Sequence, residues 1–153
     1  MASTLRIYAD TSVFGGCFDE EFAVASHRLF EEIRAGRFVL VVSPTTLREL
    51  DAAPPQISDV LTSLPAGCIE SLQPSVEVAQ LRDAYLAAGI VGAGSALDAE
   101  HIASASVADV DLIVSWNFKH IVHFEKVRGY HAINLLRGYS QVPIHSPIEV
   151  IES

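Results

Sequence analysis

Phe38-Val39-Leu40-Val41-Val42 is an unbroken apolar run with three β-branched residues. A strand with no polar alternation has no face for water, so it must be covered on both sides. Strands of that kind belong to parallel sheets whose crossover helices pack on both faces, which confines the chain to α/β architectures. The run is far too short to span a membrane. Ser43-Pro44 follows it, with Ser as N-cap and Pro at the first position of a helix carrying Thr46, Leu47, Glu49 and Leu50. Pro54-Pro55 stops that helix.

The rest of the chain alternates in the same manner. Leu5 to Ala9 reads as a short strand with Leu5, Ile7 and Ala9 on one side and Tyr8 on the other. It runs into Asp10-Thr11-Ser12 and then the pair Gly15-Gly16, which puts Asp10 at the strand's C-terminal end, where open α/β sheets bind ligands. Asp19-Glu20-Glu21 is expected to open a helix, its negative charge near the positive end. That helix turns Phe22, Val24, Ala25, Leu29, Phe30 and Ile33 inward and uses Gly36 as its C-cap. A short helix is expected over 57–64, and a brief strand or turn over 68–72. A helix over 75–88 has Val76, Val78, Ala79, Leu81, Tyr85 and Leu86 inward, and the Gly-rich stretch 89–94 follows it. Residues 95–108 read as a helix, 111–116 as a strand, and 118–138 as two helices broken near Val122 to Phe124 or at Gly129. The tail reads as loop plus an edge strand. With no repeats or linkers, residues 1–153 are expected to form one three-layer α/β/α domain with a mainly parallel sheet.

Composition limits the function classes. Half of the 153 residues are hydrophobic and 19% are charged, so disorder is excluded as the organising state. Cys17 and Cys68 have neither metal-ligand spacing nor a disulfide-rich context, which points to reduced thiols. No N-terminal segment joins a basic start to an apolar stretch, so no export is expected and the cytoplasm is the expected compartment. The net charge of −9 argues against a broad basic nucleic-acid footprint. It is compatible with carboxylates clustered to hold divalent cations, whose charge the ions offset.

Three acids stand out by position: Asp10 at a strand tip, Glu49 on the helix after the Phe38–Val42 strand, and Asp98 at the start of a later helix. Each also has a plain structural explanation. Asp10 can cap a turn or helix, Glu49 can be a solvated helix residue, and Asp98 fits a capping pattern with Ser95. Against the last stands the helix itself, since Leu97, Ile102, Ala103, Ala105 and Val107 make it apolar and small. A carboxylate on such a helix is costly unless it is neutralised, paired or bound to a metal. Ligation by oxygen alone suits Mg²⁺ or Mn²⁺, and phosphodiester hydrolysis needs the activated water such ions supply.

Tyr8-Ala9-Asp10-Thr11-Ser12, Glu49, Asp98-Ala99-Glu100-His101-Ile102-Ala103-Ser104-Ala105 and Ile113-Val114-Ser115-Trp116-Asn117-Phe118-Lys119-His120-Ile121 together resemble PIN-domain proteins, and most of all the VapC-type ribonuclease toxins of type II toxin–antitoxin pairs. The resemblance runs from Ile7 to about Leu135. It implies a PIN-like α/β/α fold and a Mg²⁺ or Mn²⁺ site from Asp10, Glu49 and Asp98, with Asn117 at the family's fourth acidic position. It implies supporting roles for Ser12 and Thr11, with Ser12 helping to position a metal-bound water. RNA is then the substrate, a cognate antitoxin the partner and a homodimer the expected state, which the mean hydropathy of +0.32 also favours. The departure is Asn117, because an amide binds a cation less strongly than a carboxylate.

Other residues near these segments are substrate candidates. Lys119 is the preferred phosphate contact among Arg6, Arg48, Lys119, Lys126 and Arg128; Trp116 and Phe118 are candidates for stacking on a base, with core packing as the alternative. His120 and His123 follow the strand and are candidates for substrate contact or plain solvated loop residues. His101, one helical turn after Asp98, reads as a buried structural histidine or as a neighbour of the site. Phe14, Phe18 and Phe22 offer either a partner groove or core. A phosphatase built on Asp10 would want a second Asp where Ser12 stands, and a receiver domain would want an acidic pair at the first strand, so both are disfavoured. A PIN-like binding or regulatory module without turnover is the alternative that Asn117 keeps open.

Overall fold

A computed structural model of the chain describes residues 4–152. Its five described strands form one all-parallel sheet: β1 (Leu5–Ala9), β2 (Phe38–Val42), β3 (Ile69–Ser71), β4 (Leu112–Val114) and β5 (Ile144–His145), in the order β3-β2-β1-β4-β5. The helices among the described residues are α1 (Thr11–Gly16), α2 (Ala23–Arg34), α3 (Pro44–Ala52), α4 (Pro55–Thr62), α5 (Val76–Ala87), α6 (Ala96–Val107), α7 (Phe124–Leu136) and α8 (Pro147–Val150). None is long and apolar enough to cross a membrane.

Alternation along the strands generates the three layers. Ile7 and Ala9 of β1 join Leu40, Val42 and Val114 in one core, packed by Phe14 of α1 and Leu29, Phe30 and Ile33 of α2. Tyr8, Val41 and Ile113 face the other way, against Leu81 and Tyr85 of α5, Ile102 of α6 and Tyr130 of α7. Each fully buried Leu, Ile or Phe contributes roughly 1.5–3 kcal/mol over its exposed state. The β2 run sits on both faces at once, as its lack of alternation requires. Chain direction then positions the site. From β1 the chain steps outward through β2 and β3, then returns to the far side of β1 as β4, so the order reverses between β1 and β4. The C-terminal mouth of that reversal is where such sheets receive ligands.

Several local expectations hold. The Ser43 hydroxyl accepts the Thr46 N–H at 3.1 Å, with Pro44 opening α3. Gly36 follows α2 with φ +88°, a conformation that disfavours side chains. Others are corrected. Residues 11–16, for which the sequence predicts no element, form a short helix. A Cβ at Gly16 would lie 2.6 Å from the Ser26 hydroxyl and 2.7 Å from the Trp116 indole nitrogen, so close packing demands glycine there. The acidic run 19–21 does not open α2: Asp19 Oδ1 takes the Glu21 N–H at 2.9 Å and its carbonyl takes the Phe22 and Ala23 N–H groups, closing a turn that competes with helix. Val24 and Val76 point to solvent, not inward. Residues 118–138 hold one helix, because 117–122 is a turn and Gly129 lies inside α7, where a Cβ would meet Ile90 at 2.5 Å.

Candidate functional site

Asp10 directly follows β1 and occupies the N-cap position of α1, yet its side chain makes no capping bond. Its Oδ1 instead accepts the Ser12 hydroxyl at 2.6 Å, while Ser12 Oγ accepts the Trp116 N–H at 2.9 Å. One serine thus ties the ends of β1 and β4 together across the reversal. Ser115 Oγ accepts the Asn117 N–H at 2.9 Å and continues the same seam. Asp98 sits in the first turn of α6, and Ser95 makes no capping bond there, so the capping explanation of this pair is not realised. Glu49 lies on α3, where its Oε1 accepts the Thr11 hydroxyl at 2.8 Å and the His101 Nε2–H.

These groups feel one another. Burial pushes the Asp10 carboxyl above its ordinary value; the charge of His101 and the Ser12 and Ser115 hydroxyls oppose the rise, and Asp98 adds to it. Burial also raises Asp98, with Glu49 adding repulsion and His120, His101 and Asn117 relieving it. Glu49 is held low, chiefly by its hydrogen bond to His101. Burial alone would push His101 down, but Tyr8, Glu49 and Asp10 hold it up to about 10. Asp10, Asp98 and Glu49 are therefore electrostatically coupled through one another and through His101.

The set is not a preformed cage. Among the described residues no three His, Cys, Asp or Glu side chains are grouped closely enough to hold an ion between them. Glu49 gives Oε1 to Thr11 and His101, and its Oε2 has no partner among the described residues. Ligation of Mg²⁺ asks for only one or two direct carboxylates, the remaining positions being filled by water. Two carboxyls whose burial is under-compensated, as at Asp10 and Asp98, are the donor chemistry such an ion relieves.

Asn117 plays a different part from a ligand. Its Oδ1 accepts the N–H groups of Lys119 at 3.2 Å and His120 at 2.9 Å, capping the turn after β4. Asn117 also eases the charged form of Asp98. His120 lies near Asp98, half-buried, and its Nδ1 is buried without a hydrogen-bond partner among the described residues. Lys119 is exposed beside them. Trp116 is 6% exposed; its ring stacks on Phe22 and its Nε1–H donates to Ser26, so it packs the core and offers no free face to a base. Phe118, 48% exposed, remains available. Phe14 is core, while Phe18 is exposed. Arg6 pairs with Glu70, Arg128 with Glu125, and Lys126 Nζ donates to the Ile90 carbonyl, so these three are engaged elsewhere. His123 is exposed at the start of α7.

Sequence reasoning left His101 undecided and missed its link to Tyr8. The available signal was spacing: His101 follows Asp98 by three residues on a helix, and Tyr8 is the polar residue on its face of β1. A cleft of about 130 Å³ between α3, α5 and α6, which none of the three acids lines, was also missed. Pro44, Thr45, Arg48, Leu72, Ser75 and Glu100 help line it, and Arg48 and Arg82 both hold Glu100. Compared with known proteins, the chain matches no family model and no curated protein sequence.

Proposed function

We propose that this chain is a divalent-cation-dependent endoribonuclease of the PIN-like, VapC-type kind, hydrolysing RNA phosphodiester bonds. One observation carries the reading: at the sheet's topological reversal stands Asp10, raised by burial and further by the charge of Asp98, which is itself raised by burial and by Glu49. Asp10 and Asp98, with Glu49 through Oε2, would hold Mg²⁺ or Mn²⁺ directly or through water. A bound divalent cation supplies an activated water and stabilises charge on the leaving oxygen. Within the chain, Ser12 orients Asp10, Thr11 and His101 orient Glu49, and Asn117 eases the charged form of Asp98. Lys119 and Arg48 supply local positive charge to a phosphate backbone that the net charge of −9 would otherwise repel.

The proposal extends to partners and place. Exposed Leu97 and Phe118 are the chain neighbours of Asp98 and Asn117 and offer apolar surface next to those two positions. An antitoxin presenting a basic or aromatic side chain would cover such a surface and fill the acidic mouth. We propose a cytoplasmic homodimer as the working form. The test is cleavage of a structured RNA by the purified protein with Mg²⁺ or Mn²⁺, beside Asp10→Asn and Asp98→Asn. Ion-dependent cleavage by the wild type, lost in both variants, is the expected result; equal inertness at saturating ion overturns it.

A second reading, a PIN-like binding or regulatory module without turnover, draws support from Asn117. Its oxygen is committed to backbone N–H groups and is not free to ligate. RNA binding that persists without cleavage at saturating Mn²⁺ would favour that module.

A further inference from the structure

His101 is 2% exposed, yet both ring nitrogens are engaged. Nδ1 lies 2.6 Å from the Tyr8 hydroxyl, and Nε2 meets Glu49 Oε1. The Tyr8 hydroxyl is in turn 2.7 Å from Ser43 Oγ, the oxygen that caps α3 by accepting the Thr46 N–H. A buried line of hydrogen bonds thus leaves the start of α3, crosses β1 and α6, and returns to α3 at Glu49. An apolar side chain at position 101 would fill the same interior without the desolvation that a histidine, a phenol and a carboxylate incur. The polar line therefore calls for a reason beyond packing.

Donor and acceptor matching fixes the direction of its last link. With Ser43 Oγ taking the Thr46 N–H, the Ser43 hydroxyl can donate to Tyr8 and the Tyr8 hydroxyl to Nδ1 of a neutral ring; a charged ring instead donates from Nδ1 to Tyr8. In either state Nε2 carries a hydrogen for Glu49. Thr11 donates to the same Oε1 at 2.8 Å, so both donors hold one carboxylate oxygen and leave Oε2 without a partner among the described residues.

We propose that His101 is a positioning residue for cation binding: anchored by Tyr8, it pins Glu49 Oε1 and leaves Oε2 to meet, through water, a cation held at Asp10 and Asp98. This rests on the cation-dependent reading of the acidic set. Outer partners of this kind alter metal affinity by about 10–100-fold when removed.

The experiment measures Mn²⁺ binding to the full chain by calorimetry, without RNA. His101→Leu is expected to weaken Mn²⁺ about 10–100-fold, and His101→Gln, which restores an N–H donor, to recover much of that loss. On a Glu49→Gln background His101→Leu should add little, because the two act through one oxygen pair. Wild-type affinity in a folded His101→Leu protein overturns the proposal, as does a full additive loss on the Glu49→Gln background. Where His101→Leu does not fold, Tyr8→Phe carries the same test: several-fold weakening that vanishes on the Glu49→Gln background supports the proposal, and unchanged affinity overturns it. Absence of Mn²⁺ binding by the wild type overturns the cation reading itself, and with it this role; wild-type binding that ignores His101 and Tyr8 overturns the role alone.

Discussion

Asn117 gives its amide oxygen to the backbone N–H groups of Lys119 and His120, and its side chain also eases the charged form of Asp98. A carboxylate at this position would still accept the two N–H groups but would repel Asp98. Asn117→Asp is therefore expected to lower the stability of the metal-free protein at neutral pH by on the order of 1 kcal/mol. It should tighten Mn²⁺ at the same time by adding a formal charge to the site. Thermal melts in chelator and in excess Mn²⁺ check both halves; a variant less stable than wild type in both solutions would contradict the second.

Asp10 predicts a pH dependence whose sign is fixed by burial. Its folded-state value lies above the ordinary 3.8, so the folded protein retains a proton that the unfolded chain gives up. Stability is then whole below that ordinary value and declines as pH rises from it toward the folded-state value. Asp10→Asn removes the decline. In chelator the variant should melt above wild type at pH 7, with the two converging below about pH 4. Excess Mn²⁺ should reverse the ranking, since an ion at 100 times its Kd adds about 2.7 kcal/mol to wild type alone.

The two aromatic residues flanking Asn117 should part company. Trp116→Ala opens a cavity against Phe22 and Ser26 and should cost about 3–5 kcal/mol of stability, read by denaturant unfolding. Phe118→Ala should leave unfolding nearly unchanged and weaken single-stranded RNA by about 1–3 kcal/mol if the exposed ring stacks on a base. Equal RNA affinity in wild type and Phe118→Ala would remove Phe118 from the substrate path.

Arg48, next to Glu49 in the chain, has 65% of its side chain exposed and touches Glu100 at the cleft between α3, α5 and α6. Arg48→Ala is expected to raise KM for RNA with kcat little changed, and to flatten the salt dependence of binding by about one unit of log–log slope. An unchanged slope would mean that this guanidinium serves only Glu100.

The layered fold was legible because it depends on patterns that survive without tertiary context. The unalternated β2 run, the Ser43-Pro44 start and Gly36 each act locally. The same was true of Asp10, whose position after β1 follows from strand length alone. What escaped reading depends on partners distant in sequence. Asp19 chose a turn over a helix start through its own backbone bonds, a near-even competition in sequence terms. Trp116 became core because Phe22 and Ser26 arrive from another segment. His101 acquired its bonds from Tyr8 and Glu49, 93 and 52 residues away. Asn117 looked like a weakened ligand because nothing in the sequence reveals that its amide oxygen caps the turn after β4.

Gly16 stands far from any reacting atom in role, yet it governs the mouth of the sheet. The indole of Trp116 descends into the space its missing side chain leaves, and Trp116 is covalently next to Asn117 and hydrogen-bonded through its backbone to Ser12. A single methyl at position 16 would press on that indole and, through the main chain, tilt both the serine that steers Asp10 and the amide that steadies Asp98. The alignment of the two acids is thus hostage to an empty volume on the opposite side of the sheet.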